Sequence, residues 1–280
     1  CLVLGQSSRY NSRKGLGRFG VGMTKGAISL CRNVEVYSRQ KQGNWNYVKL
    51  DLDVQDANGD PGITPVKLVK KLPDEYSDLV GDNGTLVIWT KIDRIESDFS
   101  IEDIDKKGRL NEGLQHWLER TFRKHIGKQI IKEEKIVKNE NVVSIELDNN
   151  GDNIELVAFD PLFFIVNPRR PSDGTSRMDW EKTFPYEVSN IDKPDEPISE
   201  GNITIRMTIT PKEWRYERKK GNSQESRARH LPQNEGISIL RNGREVAYRK
   251  IDNWDPKLEL HDRWWSCEID FEPVLDHQFK

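Results

Sequence analysis

Three absences narrow the field before any motif is read. No apolar run approaches the 18 or more residues that a membrane-spanning helix requires. The opening CLVLGQSSRY lacks a basic segment followed by a long apolar core, so it does not read as a secretory signal. Three cysteines, Cys1, Cys31 and Cys267, are an odd number at unrelated spacings, which fits neither a disulfide framework nor a zinc site. They read as reduced packing residues of a cytoplasmic protein. An excess of one charge is missing as well: the formal net charge is −2, which argues against a chain that grips nucleic acid along its whole surface. The five histidines, at 116, 125, 230, 261 and 277, show no metal-ligand spacing, and no Ser-His-Asp or Cys-His arrangement can be built from them.

What is present is a chain of 280 residues, 35% hydrophobic and 32% charged. Two domains of the α+β class can be built from it, with long polar connections between elements. Residues 1–4 read as a helix end, and GQSSRYNSRKG as a loop. The apolar residues from Val21 to Cys31 suit a helix of about a dozen residues closing near Asn33. VEVYSRQ and NWNYVKLDLD alternate with period two around a GNW turn, a hairpin pattern. DANGDPG is loop-like, ITPVKLVKKL is a strand candidate, and GTLVIWTKI is the most strand-like segment of this half. Leu110, Leu114, Trp117, Leu118, Phe122 and Ile126, spaced by three and four, predict a helix from Ser100 to about Lys132. The first domain, 1–132, is placed to end there. The second, 133–280, is mostly strand: VVSIELD, NIELVAF, GNITIRMTIT, GISILRNG and WWSCEIDF, separated by polar loops at 167–182, 190–201 and 216–235.

The densest chemical signal is glycine. Gly15, Gly17, Gly20 and Gly22 fall within eight residues ahead of the predicted helix. Glycines let backbone amides approach an anion, and a helix start adds free N–H groups. Phosphate is the natural guest, with Lys25 as a nearby cation. A dinucleotide fingerprint needs a buried strand before it, and SSRYNSRK is not one. A kinase loop needs valine where Gly22 stands and later HRD and DFG motifs. No window supplies a Walker A sequence. A glycine-rich packing turn with no ligand is the remaining alternative.

Gly17-Arg18-Phe19-Gly20-Val21-Gly22-Met23 resembles the G-x-F-G-V-G-F box of the heat-shock 90-kDa chaperones, members of the GHKL superfamily with gyrase B, histidine kinases and MutL. It is similar also to the glycine box of microrchidia-type ATPases, including a later glycine matched by Gly26. Gly84-Thr85-Leu86-Val87-Ile88 looks like the family's later GT-plus-strand box, and VEVYSRQ like the strand that follows the glycine box. The resemblance covers residues 1 to about 92. It implies a partial Bergerat-type α/β sandwich and a site for ATP with Mg²⁺. Residues 17–23 would hold the phosphates by backbone amides, under a lid formed by Gly5 to Lys14. Ser8, Lys25 and Thr85 would be further contacts, Thr85 in the network beneath the adenine.

The family's catalytic glutamate and magnesium-binding asparagine lie ahead of the glycine box, as does its D-x-G-x-G turn. By this resemblance they belong upstream of Cys1. The chain then reads as part of a parent ATPase that dimerises on ATP, inactive by itself as a hydrolase. Asp82-Asn83-Gly84 falls after the box and reads as a turn.

GISILRNGREVAY with DRWWSCEIDFEPVLD resembles the transducer-like mixed α/β domain that follows the ATPase unit in such proteins. There a lysine or arginine senses the γ-phosphate, and no residue of this sequence is assigned that role. The stretch 212–230 carries seven Lys or Arg against three Glu, which reads as a solvated loop, with a nucleic-acid or nucleotide contact as the functional alternative. Of the adjacent Trp264 and Trp265, a strand turns one inward and one outward. The competing functional reading is a non-catalytic module that binds a partner protein or nucleic acid, a client protein or DNA among them, and uses the glycine loop only for packing.

Overall fold

The computed structural model describes residues 2–5, 7, 15–17, 19–59, 62–94, 113–149, 151–166, 174–188, 199–215, 223–250 and 264–277. The chain is an α+β protein that divides into two compact units, residues 1–99 and 100–280. The division falls ahead of the helical stretch that the sequence placed in the first domain, so that stretch belongs to the second unit rather than closing the first at 132.

In the first unit, helix α1 (Gly22–Ile28) leads into strand β1 (Cys31–Arg39), the centre of an antiparallel sheet ordered β3-β2-β1-β4. Its other strands are β2 (Trp45–Asp51), β3 (Lys67–Val69) and β4 (Gly84–Ile92). The hairpin and the GT strand form as the alternation predicts. The predicted twelve-residue helix is shorter, seven residues, because Cys31 is already in the strand and the β-branched Val34 and Val36 continue it. Residues 2–5 are irregular rather than a helix end. Leu52–Asn58 forms a second short helix, α2, across part of the expected DANGDPG loop. Its Asp51 cap accepts from the Asp53 amide, and Gly59 ends it at φ +66°.

Both faces of this sheet are packed. On one face Ala27 of α1 meets Cys31, Val34, Val36 and Leu50, with Leu2 buried among them. On the other Tyr37, Trp45 and Leu72 form a second cluster, backed by Tyr47, Leu86 and Ile88.

The second unit is built on a five-stranded sheet ordered β12-β11-β13-β10-β9. The strands are β9 (Arg177–Val188), β10 (Ser199–Ile209), β11 (Ile237–Arg241), β12 (Arg244–Arg249) and β13 (Trp265–Phe271). Only the β11–β13 contact is parallel. Two small hairpins accompany it: β5 (Gln129–Lys132) with β6 (Lys135–Lys138), and β7 (Glu146–Asn149) with β8 (Asp152–Glu155). The predicted helix to Lys132 resolves into α3 (Leu114–Thr121) and α4 (Arg123–Ile126), and Gln129–Lys132 is strand. Residues 100–112 lie outside the described residues. β9 occupies part of what the sequence offered as the loop 167–182. It is the sheet's edge, it holds Pro185, and most of its side chains are exposed, so it carries little of the periodicity that marks a strand.

Candidate functional site

The glycine box precedes α1 in an exposed stretch of the first unit. Gly20 sits at φ +64°, a left-handed conformation in which any side chain is strained. Gly17, Gly22 and Gly26 are different: a Cβ built on any of them meets nothing within 4 Å. Packing therefore does not demand glycine at these three positions. The helix cap points the same way. Val21, a residue type poor at capping, occupies the N-cap with no side-chain hydrogen bond, and no acidic residue stands in the first turn. The first amides of α1 thus receive no side-chain cap, and no carboxylate competes for an anion there. At seven residues the helix contributes little dipole, so any anion would be held by the loop amides rather than by the helix as a whole.

Of the residues singled out from sequence, Lys25 lies on α1, exposed, with no ion pair among the described residues. Phe19 is 53% exposed. Arg18, Ser8 and residues 8–14 of the expected lid lie outside the described residues.

Thr85 stands on β4 opposite Ser38 of β1, the two hydroxyl oxygens 2.8 Å apart. The register continues with Val36 opposite Val87 and Val34 opposite Trp89. Directly opposed residues share a face. Because Val34 and Val36 pack with Ala27 of α1, Thr85, Val87 and Trp89 lie on the face that carries α1. The structure thus brings the glycine-box helix and the GT threonine to one side of one sheet. Val87, which belongs to the GT stretch, and Trp89 beyond it complete this face. Strict alternation in Thr85-x-Val87-x-Trp89 was the available signal.

The basic stretch 212–230 is not one solvated loop. Lys212–Trp214 is a 3₁₀ turn, and Gln224–Ala228 a short helix, α5, capped by the Ser223 hydroxyl. Trp214 is buried, with the Arg229 guanidinium stacked 3.9 Å from its ring. Arg215 donates to the Thr210 carbonyl. Arg215 and Arg229 at least are therefore engaged in folding. Arg218, Lys219 and Lys220 lie outside the described residues. Trp264 is buried and Trp265 half-buried, but Trp264 precedes β13 with φ +83°, so strand alternation does not set the two apart. His116 and His125 fall on separate helices, α3 and α4. Cys31 and Cys267 are buried free thiols, as packing residues are; burial pushes the Cys267 thiol up to about 11.

The second unit holds a buried ionic network that no sequence motif announced. Glu268 of β13, 1% exposed, receives Arg123 at 2.8 Å, Lys124 at 2.5 Å and Arg206 at 2.9 Å. Arg123 also meets Glu245 at 3.0 Å, as does Arg120 at 2.8 Å, while Arg206 reaches Glu181 at 3.1 Å. Burial alone would raise the Glu268 pKa, but the three surrounding cations outweigh it and hold the carboxyl far below its usual range. The network ties α3 and α4 to the main sheet. Every member pairs with another, so it reads as a fixed scaffold.

Among the described residues no group of three or more His, Cys, Asp or Glu is placed to hold a metal ion, and no helix is long and apolar enough to cross a membrane. Comparison with known protein families finds no match for this chain, and comparison with curated proteins finds none either.

Proposed function

We propose that the first unit binds the phosphates of ATP through the backbone of residues Gly17 to Met23, as part of a GHKL-type nucleotide switch with a Bergerat-type fold. One observation carries the reading. Three glycines of the box and its helix have open space where a side chain would stand, and the fourth, Gly20, has a backbone only glycine adopts freely. A packing turn would use glycine for close contact between segments; here a side chain at Gly17, Gly22 or Gly26 would meet nothing within 4 Å. Glycines that leave the backbone open to approach, with the exposed Lys25 nearby, suit an anion site.

The sheet face supports the same reading. Beyond α1, Thr85 offers a hydroxyl, and Val87 and Trp89 offer an apolar surface on the same side. A nucleotide joins a polyanion to a flat, apolar base, and this face presents a counterpart for each. ATP when bound brings Mg²⁺ on its phosphate oxygens, where the metal shares their charge. Hydrolysis needs in addition a carboxylate to position water and a side-chain ligand for the metal. No residue of this chain is assigned either task, so the activity proposed here is binding, with hydrolysis and ATP-driven dimerisation belonging to a parent protein. The second unit would act as the transducer that responds to the presence of the γ-phosphate.

The test is a calorimetric titration of ATP with Mg²⁺ into the chain and into Gly22→Val. Affinity lost in the variant supports the assignment; equal affinity in both removes the glycine box from the site.

A further inference from the structure

The second unit contains a cleft of about 660 Å³ that the nucleotide reading does not use. It lies within the roughly 300–1,000 Å³ range of small-molecule sites. Its walls come from α4, the β5–β6 hairpin and the stretches 142–144, 155–158 and 165–166. Ile136, Val142, Val143 and Val166 are 41%, 43%, 53% and 45% exposed, and all four line this one cleft. Single exposed apolar side chains need no explanation. Four of them converging from separate stretches on one concavity do.

The floor has the opposite character, formed by Arg123, Lys124, Asp160 and Glu268. Its charges already answer one another. Glu268 is held by Arg123, Lys124 and Arg206. The buried Asp160 carboxylate accepts from the amides of Leu162 at 3.0 Å, Phe164 at 3.0 Å and Ile165 at 2.8 Å. Arg123 spends Nη1 on Glu245 and the Arg120 carbonyl, and Nη2 on Ser238 and Glu268. Its Nε–H has no partner among the described residues, although the side chain is only 4% exposed. A buried donor left in that state costs about 1–3 kcal/mol.

An anionic ligand would have to settle beside two carboxylates, and a cationic one beside Arg123 and Lys124. The group the floor lacks is one uncharged acceptor. We propose that this cleft binds a neutral small molecule with an aliphatic body and a single carbonyl-type oxygen. The body lies along Ile136, Val143 and Val166, and the oxygen accepts from Arg123 Nε.

The 280-residue chain titrated with octanamide, octanoate and octylammonium, each below its micelle-forming range, tests this by calorimetry. Octanamide should bind saturably at one site, and the two ions at least tenfold more weakly. Val143→Glu and Val166→Glu, both at exposed rim positions, should each weaken octanamide at least tenfold while the thermal midpoint stays in place. Should those variants prove unstable, amide spectra of the unmodified chain decide: octanamide should shift Ile130, Val157 and Ala158 and leave β1–β4 unmoved. Absence of saturable binding at millimolar octanamide, an ion binding as well as the amide, unchanged affinity in folded rim variants, or shifts confined to other residues would each overturn the proposal.

Discussion

Val36 and Val87 face each other across β1 and β4, yet Val36 is 3% exposed and Val87 37%. Helix α1 and the residues packed with it bury the first and leave the second uncovered. Opposed residues of one type, on one face, therefore differ in what they contribute. Val36→Ala should cost about 2 kcal/mol by loss of a buried side chain. Val87→Ala should cost less than about 1 kcal/mol. Urea unfolding followed by circular dichroism measures both, and equal losses would mean that the row Thr85-Val87-Trp89 is covered in solution.

Glycines around the box separate by cause. Gly26 lies inside α1 with open space about it and an ordinary helical backbone. Gly26→Ala should therefore stabilise the first unit by about 0.5–1 kcal/mol, the usual helix-interior gain. Gly20, at φ +64°, should behave oppositely, with Gly20→Ala losing about 1 kcal/mol or more. Thermal unfolding of the two variants reads the difference in sign.

Glu268 anchors three cations at once. Glu268→Gln leaves buried charge unanswered and should destabilise the second unit by about 3–5 kcal/mol near neutrality. Its pH dependence has a definite direction. The Glu268 carboxyl is held far below its ordinary 4.5, so its contribution is complete above that pH and is lost as pH falls toward the folded value. Burial raises Asp160 above 3.8 in spite of its amide partners, so its contribution has the opposite sign, present in acid and lost as pH rises. The gap between the wild-type chain and Glu268→Gln should thus narrow below about pH 4.5. Unfolding free energies measured at a series of pH values show whether it does.

Thr85 and Ser38 share a hydrogen bond on an exposed part of the sheet. Thr85→Val keeps the strand-favouring shape and removes the hydroxyl. Stability should change by less than about 0.5 kcal/mol, whereas ATP affinity should fall several-fold if the hydroxyl belongs to the nucleotide site. Paired thermal and binding measurements on this variant separate the two effects.

The parts of the fold written in local patterns were legible in the sequence. β1, β2 and β4 announce themselves by alternation, and the glycine box by composition. Leu52–Asn58 was hidden because Asp, Asn and Gly mark turns and short-helix caps alike, and only Gly59 in its left-handed conformation decides between them. β9 was missed because an edge strand with exposed side chains and Pro185 need not alternate. The helix expected to run to about Lys132 stops at Ile126, because Gln129–Lys132 pairs as a strand in the β5–β6 hairpin, a partner no local window shows.

At the candidate site the glycines and Thr85 came from motif reading, but their common face did not. That depends on the β1–β4 register, a long-range fact that no window of sequence contains. The Glu268 network was out of reach for the same reason. Its members lie at 123, 124, 206 and 268, and only the folded sheet brings them together.

If main-chain nitrogens around Phe19 hold the phosphates of ATP, the Mg²⁺-dependent affinity of the chain for ATP, measured beside Gly20→Val and Gly22→Val, shows it. Saturable binding is expected in the wild-type chain and its loss in both variants, with Gly22→Val still folded because its site is open. Binding that survives intact in a folded Gly22→Val chain, or no ATP binding by the wild type, would contradict it.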